Sequence, residues 1–230
     1  MKVSAIIPAA GSGERFGEEK QFKLFSGRPL IFHTLKLFLK SDYIDEIIVA
    51  VPSANIDSTH RDVLTMSAGK PVKVVAGGTR RQDSVKNSID VSDSHSTLVC
   101  IHDAARPFVT EDLIRRSISA CEFADGAIVG IPSKDTVKFS ENGLIKETLS
   151  REKIWLAQTP QCFHKNKLLQ ALYHAEKENL TGTDESVLME AMGFTIKLVE
   201  GYSNNFKITT KDDWLRAEIV AVQQSHGTVL

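Results

Sequence analysis

The chain has 230 residues, 42% of them hydrophobic and 25% charged, ordinary proportions for a soluble globular protein with a well-buried core. Its 28 Lys and Arg balance 29 Asp and Glu, so no global basic field argues for nucleic acid and any anion site depends on local clustering. The apolar run at the N-terminus is too short for a signal peptide, and no stretch approaches the ~20 apolar residues of a membrane span. Cys100, Cys121 and Cys162 are far apart, odd in number and without zinc-ligand spacing, so reduced, core-filling thiols are expected.

Short β-branched runs alternate with helical patterns along the chain. Residues 3–7 read as a buried strand, and 29–40 as a helix with Pro29 near its first turn and Leu30, Ile31, Leu35, Phe38 and Leu39 on one face. A strand follows at 47–51, then a mixed helical segment through Ala68, and a third strand at 72–76 ended by Gly77-Gly78. A helix is expected from about Asp83-Ser84, a fourth strand at 98–101, a helix at 111–124 capped by Thr110, and a fifth strand at 127–131. This alternation predicts an α/β fold, Rossmann-like, with a mainly parallel sheet covered by helices on both faces. Such sheets bind ligands beyond the carboxyl ends of their strands, which directs attention to the loops after Ile7, Ala76, Ile101 and Ile131.

The alternation breaks at about 133–156. Segments 136–139 and 144–148 flank Asn142-Gly143, a strong tight-turn dipeptide, and predict an inserted β-hairpin. A lone hairpin is marginal in water, so it is expected to pack on something, a second subunit being one answer. Beyond it, helices are expected at 167–178, 184–192 and 211–224, the last with Thr210 and Asp213 at capping-box spacing. Extended segments are expected at 195–199 and 206–208. No repeat or linker divides residues 1–230, which read as a single domain carrying the hairpin as an arm.

The loop after the first strand runs from Pro8 to Gln21 and contains Ala9, Ala10, Gly11, Ser12 and Gly13. Small residues there let the backbone approach a nucleotide and offer N–H groups to phosphates or base edges. A dinucleotide fingerprint fails because Phe16 stands where its third Gly or Ala belongs, and no Gly-Lys-Ser/Thr closes a P-loop. What remains is a glycine-rich loop followed by the cations Arg15 and Lys20, suited to stabilising charge on a polyphosphate. The fourth strand ends in His102-Asp103-Ala104-Ala105-Arg106-Pro107. Asp103 can ligate Mg²⁺, and Arg106 can hold that carboxylate or grip a phosphate. His102 is read as structural, since a phosphate nucleophile needs no general base at neutral pH. Further candidates are Asp135-Thr136 and Arg151 beside the hairpin, Thr159 in Gln158-Thr159-Pro160-Gln161, Thr183-Asp184-Glu185, and Lys207.

Together these segments resemble the 2-C-methyl-D-erythritol 4-phosphate cytidylyltransferases. The resemblance rests on Ala9-Ala10-Gly11-x-Gly13-x-Arg15, Lys20-Gln21, Gly77-Gly78 with Ser84-Val85, and His102 through Pro107. It continues through Asp135-Thr136-Val137-Lys138, Arg151, Trp155, Gln158-Thr159-Pro160-Gln161, Thr183-Asp184-Glu185 and Lys207, almost the whole chain in order. It implies a cytoplasmic, Mg²⁺-dependent enzyme of the non-mevalonate isoprenoid pathway that joins CTP to methylerythritol phosphate. By motif, Arg15 and Lys20 would stabilise the transition state, and Arg151 and Lys207 would position the acceptor. Ala9, Ala10, Gly11, Gly13, Gly78 and Ser84 would surround the nucleotide. Asp103, Arg106, Thr136, Thr159 and Thr183 would line the acceptor site, with Asp103 near the metal. The resemblance also implies a homodimer in which the hairpin crosses to the neighbour, so that Thr136 and Arg151 serve the partner's site.

The loop between Arg15 and Lys20 is shorter than in many relatives and carries Glu18-Glu19, which leaves Lys23 as an alternative second cation. The nearest rival is a ribitol 5-phosphate cytidylyltransferase, against which Ala105, Asp135-Thr136-Val137-Lys138 and Trp155 weigh. A nucleotide-binding regulator without turnover is the rival from another class, and the retained cations and Asp103 weigh against it. A second fused catalytic domain, present in some relatives, is not expected after the last helix.

Overall fold

The structure, a computed structural model, describes residues 1–67 and 69–225. The N-terminal part alternates as expected: β1 (Val3–Pro8), the two-residue strands β2 (Leu24–Phe25) and β3 (Arg28–Pro29), α1 (Leu30–Lys40), β4 (Glu46–Val51), α2 (Ile56–Leu64), β5 (Val72–Ala76), α3 (Arg81–Asp90) and β6 (Leu98–Ile101). There follow α4 (Glu111–Ala120), β7 (Gly126–Pro132), β8 (Val137–Glu141), β9 (Leu144–Leu149), β10 (Trp155–His164), α5 (Lys165–Lys177), α6 (Glu185–Ala191), β11 (Ile196–Glu200) and α7 (Lys211–Ser225).

Seven strands form the main sheet in the order β11-β7-β10-β6-β1-β4-β5. β1 pairs in parallel with both β4 and β6, β4 with β5, and β7 with β11. Among the described residues β10 is the one antiparallel strand of this sheet, pairing with β6 and β7. Period-two burial sorts the strand residues onto two faces. Val3, Ala5 and Ile7 join a core built with Ile31, Leu35 and Phe38 of α1 and Leu113, Ile114 and Ile118 of α4. Ile6, Val99 and Ile101 point the other way, toward Val85 and Ile89 of α3, Leu168 and Leu172 of α5, and Leu188 and Met189 of α6. A third cluster, with Phe16, Phe25, Phe108 and Trp214, seats α7 against the loops after β1 and β6. From β1 the chain steps outward to β4 and β5, then returns to β6 on the other side. That reversal opens a crevice at the carboxyl ends of β1 and β6, where doubly wound sheets bind ligands.

Several expectations need correction. β10 reads poorly as a strand because Pro160 lacks an N–H and polar Gln158 and Gln161 surround it. The chain accommodates this with a register shift against β7 between Gln158 and Gln161, so the ladder skips Thr159 and Pro160. α3 begins at Arg81, ahead of Asp83-Ser84, with the Asp83 carboxylate accepting from the Arg80 backbone N–H at 3.0 Å. α4 ends at Ala120 rather than at residue 124, because the chain turns there into β7. α2 ends at Leu64, while Ala68 lies outside the described residues. Residues 206–208 form no strand; the Ile208 N–H donates to the Ala105 carbonyl at 2.9 Å instead.

The capping predictions fare better. Thr110 accepts from the Leu113 N–H, and at α7 the Asp213 N–H donates to Thr210 Oγ1 at 3.1 Å while the Thr210 N–H donates to the Asp213 carboxylate at 2.8 Å. β8 and β9 form the expected hairpin as a separate two-stranded sheet. Asn142 and Gly143 both take positive φ (50° and 78°), as a two-residue turn matched to strand twist requires.

Candidate active site

The crevice holds a cavity of about 360 Å³ bordered by the loops after β1, β5 and β6 and by Lys207. The loop after β7, also expected to contribute, runs into the hairpin and does not line it. Ala9, Ala10, Gly11, Gly13, Gly78 and Ser84 all lie on the cavity wall, together with Arg15 and Lys20.

The shape of the first loop follows from a few residues. Gly13 has φ +73°, and a Cβ there would sit 1.9 Å from the Glu18 carbonyl oxygen, so only glycine lets the loop close on itself. The N–H groups of Phe16 and Gly17 both donate to the Gly13 carbonyl, at 2.8 and 2.9 Å. Gln21 is buried and donates from Nε2 to the carbonyls of Ala9 (3.0 Å) and Gly11 (2.9 Å), fixing the backbone of the small-residue stretch. On the opposite wall a Cβ on Gly77 would come within 2.2 Å of Ala10 Cβ, so that glycine lets the two loops meet. The Gly78 N–H donates to Ser84 Oγ at 3.0 Å, tying the β5 loop to the first turns of α3.

The acidic pair in the loop has a structural explanation. Glu18 forms a short ion pair with Lys23, whose ammonium also lies over the rings of Phe16 (5.7 Å) and Trp214 (5.6 Å). Lys23 is thereby committed outside the cavity, and Lys20 is the lysine of this loop that lines it. Burial first, then the charges of Lys207 and Arg15, pull the Lys20 ammonium below its ordinary pKa. Three cations thus converge on one side of the cavity, ready for an anionic ligand to relieve their repulsion.

Beyond Ala9 and Lys20 the cavity reaches Asp103, at the end of β6. Its carboxylate is nearly buried and meets three cations: Lys207 Nζ at 3.1 Å, Arg106 Nε at 3.3 Å and Arg81 Nε at 3.4 Å. Burial alone would raise its pKa, but Lys207, Arg81 and Arg106 outweigh that and hold it well below the usual carboxylate range. Arg106 is itself buried, and its Nη1 donates to the Asn205 carbonyl at 2.7 Å.

His102, fully buried, holds this loop from beneath. Its Nε2 faces the Arg106 carbonyl at 3.0 Å, and a carbonyl can only accept, so Nε2 carries the proton. Nδ1 is then an acceptor for the Thr159 hydroxyl at 2.9 Å, which in turn accepts from the Asp103 N–H at 3.1 Å. Burial drops the imidazole pKa to about 4 and keeps it neutral. The structural reading of His102 stands, and the Thr159 hydroxyl is committed to the same support.

A second cavity, of about 230 Å³, adjoins the first and shares Arg81, Asp103 and Lys207 with it. Arg106, Thr159 and Thr183 line it, as does Gln161, whose Nε2 donates to Asp184 at 2.8 Å. Thr136 and Arg151 line neither cavity. Both are exposed at the base of the hairpin, where Arg151 Nη1 donates to the Lys134 carbonyl at 3.3 Å. Among the described residues no group of three or more His, Cys, Asp or Glu side chains is placed to hold a metal. Thr79, Arg80 and Arg81 line the larger cavity without having been revealed by the sequence, and Arg81, which lines the smaller cavity too, is one of two adjacent arginines at a helix start that carry no signal of their own. Gln21 was visible only as the neighbour of Lys20.

No helix of the described residues is long and apolar enough to cross a membrane. The family model described as 2-C-methyl-D-erythritol 4-phosphate cytidylyltransferase matches residues 3–223. A relative so named from Geobacter metallireducens is 41% identical over 224 residues, covering 95% of this chain and 97% of its own. Another from Geotalea uraniireducens is 42% identical over 224 residues, with 95% and 96% covered. Among solved structures, the 4-diphosphocytidyl-2C-methyl-D-erythritol synthase of Anaerococcus prevotii superposes with a TM-score of 0.85 at 31% identity, covering 96% of this chain and 98% of the other. The cytidylyltransferase of Thermus thermophilus gives 0.79 at 33%, with 96% and 99% covered. With two adjoining cavities at the sheet's switch point and a match along nearly its whole length, the chain belongs to the 2-C-methyl-D-erythritol 4-phosphate cytidylyltransferase family.

Proposed function

We propose that the larger cavity binds CTP, that the smaller one binds methylerythritol phosphate, and that the two react across the seam formed by Arg81, Asp103 and Lys207. The observation that carries this reading is the junction itself: two cavities share one carboxylate and two cations, with Lys20 and Arg15 on the nucleotide side. Ala9, Ala10, Gly11, Gly13, Gly78 and Ser84 enclose the nucleotide, the backbone of the small residues reading the base and phosphates. Asp103, Arg106, Thr159 and Thr183 border the acceptor.

In the reaction an oxygen of the acceptor phosphate forms a bond to the α-phosphorus of CTP as the bond to the bridging oxygen breaks. Pyrophosphate leaves and a cytidine diphosphate conjugate remains. The acceptor phosphate is already anionic at neutral pH, so no side chain has to remove a proton, consistent with a neutral His102 used as scaffold. Arg15 and Lys20 offset the charge that grows on the transferring phosphoryl oxygens, and Lys207 leaves Asp103 to hold the acceptor phosphate. Asp103 is the carboxylate at this junction that would hold Mg²⁺, through one oxygen at most because Arg81, Arg106 and Lys207 already meet it, and phosphates and water would fill the remaining positions. When bound, the ion would neutralise triphosphate charge. Thr136 and Arg151 act on the acceptor from the hairpin of a second copy, the chain being a homodimer with crossing arms.

The test is pyrophosphate release from CTP with Mg²⁺ and either methylerythritol phosphate or ribitol 5-phosphate, repeated with EDTA. Turnover with methylerythritol phosphate that EDTA abolishes is the expected result. Preference for ribitol phosphate would overturn the acceptor assignment. Saturable CTP binding without pyrophosphate release would make the chain a nucleotide-binding regulator.

A further inference from the structure

Arg81 opens α3 and lines both cavities. Its Nε lies 3.4 Å from Asp103 Oδ1, and its Nη1 forms a short ion pair with Glu185. Glu185 starts α6 and is 1% exposed, with Arg81 as its ion-pair partner among the described residues. Burial raises the pKa of the Glu185 carboxyl and the Arg81 guanidinium opposes that shift, so the charge of Glu185 depends on this contact and the contact in turn fixes where Arg81 sits. The planar guanidinium carries that constraint to Asp103. The neighbouring Asp184 caps α6 through the Val187 N–H and accepts from Gln161, so α6 is anchored at the wall of the smaller cavity.

The cations divide the Asp103 carboxylate between them. Arg81 meets Oδ1, whereas Arg106 and Lys207 meet Oδ2. When Lys207 leaves for an acceptor phosphate, Oδ2 loses a partner but Oδ1 keeps its own. We infer that Arg81, anchored by the buried Glu185, is a positioning residue that keeps Asp103 fixed at the junction of the two cavities while Lys207 exchanges it for the acceptor phosphate. This inference rests on the placement of Asp103 and Lys207 at the acceptor proposed above.

The test compares full-length Glu185→Gln, Arg81→Lys, Arg81→Met and Asp103→Asn with the wild type. Turnover is measured against both substrates, and calorimetric titration with CTP counts the intact sites. Glu185→Gln preserves shape and removes charge, so it should survive folding even if Arg81→Met does not. It should lower kcat per intact site about tenfold, as loss of a partner that orients a functional carboxylate does, and raise KM for the acceptor with CTP affinity within about twofold. Arg81→Lys, which keeps a cation, should fall between the wild type and Arg81→Met. Wild-type kcat and KM per site in Glu185→Gln and Arg81→Met would overturn the positioning role. So would losses of activity that only track the number of intact sites. Asp103→Asn separates the two levels of argument: full activity there overturns the underlying reading, whereas an inactive Asp103→Asn beside a normal Glu185→Gln overturns the positioning role alone.

Discussion

Around Asp103, three cations, a carboxylate and a neutral imidazole are packed at the end of β6, and the chain itself satisfies nearly all of them. In the hairpin the situation is reversed. Phe139, Leu144 and Ile145 are 48%, 66% and 65% exposed, and Trp155 and Leu156 at the start of β10 are exposed as well. Only Val137 and Leu149, at the base of the hairpin, are half-buried, and a two-stranded sheet that covers so little of its apolar surface has little stability of its own in water. The first region is satisfied within one chain, whereas the second leaves apolar side chains exposed, the surface that the proposed crossing arm would cover. Thr136 and Arg151 belong to the second region, which is why they stand apart from the cavities.

The largest test of this contrast is Lys207→Ala. Lys207 borders both cavities and pairs with Asp103, and in the proposed reaction it is the cation of the seam that turns to the acceptor phosphate. Its loss should lower turnover roughly a hundredfold, the usual effect of deleting one group that stabilises a reacting anion, and leave CTP affinity largely intact. Steady-state kinetics beside a CTP titration check it; unchanged turnover would remove Lys207 from the site.

The next test addresses the hairpin. If each site combines one body with the partner's arm, a heterodimer of Arg15→Ala and Arg151→Ala has one doubly damaged site and one undamaged site. Two inactive preparations, dissociated and mixed in equal amounts, should then recover roughly a quarter of wild-type activity by random pairing across the two-fold interface. No recovery in verified heterodimers would show that the arm serves its own body or none.

The same contrast governs what the sequence could reveal. Alternation of short β-branched runs with amphipathic helices carried β1, α1, β4, β5 and β6, since continuous apolar runs suit parallel strands covered on both faces and α1 buries one stripe, while the Asn142-Gly143 turn carried the hairpin. β10 was hidden because its central residues, Thr159 and Pro160, leave the ladder. The segment 206–208 looked like a strand because Phe206 and Ile208 are apolar, yet they fill the cluster beneath α7 and pair with no strand. In the site, residues in motifs were legible and residues that matter through long-range contacts were not. Arg81 meets Glu185 104 positions away, and nothing near either residue encodes the encounter.

A third test probes the buried imidazole. Burial lowers the His102 pKa from 6.5 to about 4, so between those values the unfolded chain binds a proton that the folded chain excludes. Stability contributed by the neutral ring is complete above pH 6.5 and lost as pH falls toward 4, a change of roughly 3 kcal/mol. Burial moves His33, which is half-buried, in the same direction, so the informative quantity is the difference between wild type and His102→Asn. Urea unfolding at pH 7 and pH 4.5 should show a smaller pH-dependent loss in the variant. Equal losses would mean that His102 is not held neutral.

The smallest expected effect separates two neighbouring lysines. Lys20 faces the cavity with Arg15 and Lys207 close enough to depress its pKa, whereas Lys23 is occupied by Glu18 and by the rings of Phe16 and Trp214. Lys23→Ala removes an exposed ion pair and some packing on those rings, together worth about 1 kcal/mol of stability. It should leave kcat within about twofold of wild type, since exposed pairs of this kind contribute little beyond their own surroundings. Lys20→Ala, by contrast, removes a cation that lines the cavity, and on the proposed reading it should resemble Lys207→Ala in scale. If Lys23→Ala proved the more damaging of the two, the glycine-rich loop would have to rearrange around CTP so that Glu18 releases its partner. The short acidic segment between Arg15 and Lys20 would then be a hinge instead of a fixed wall.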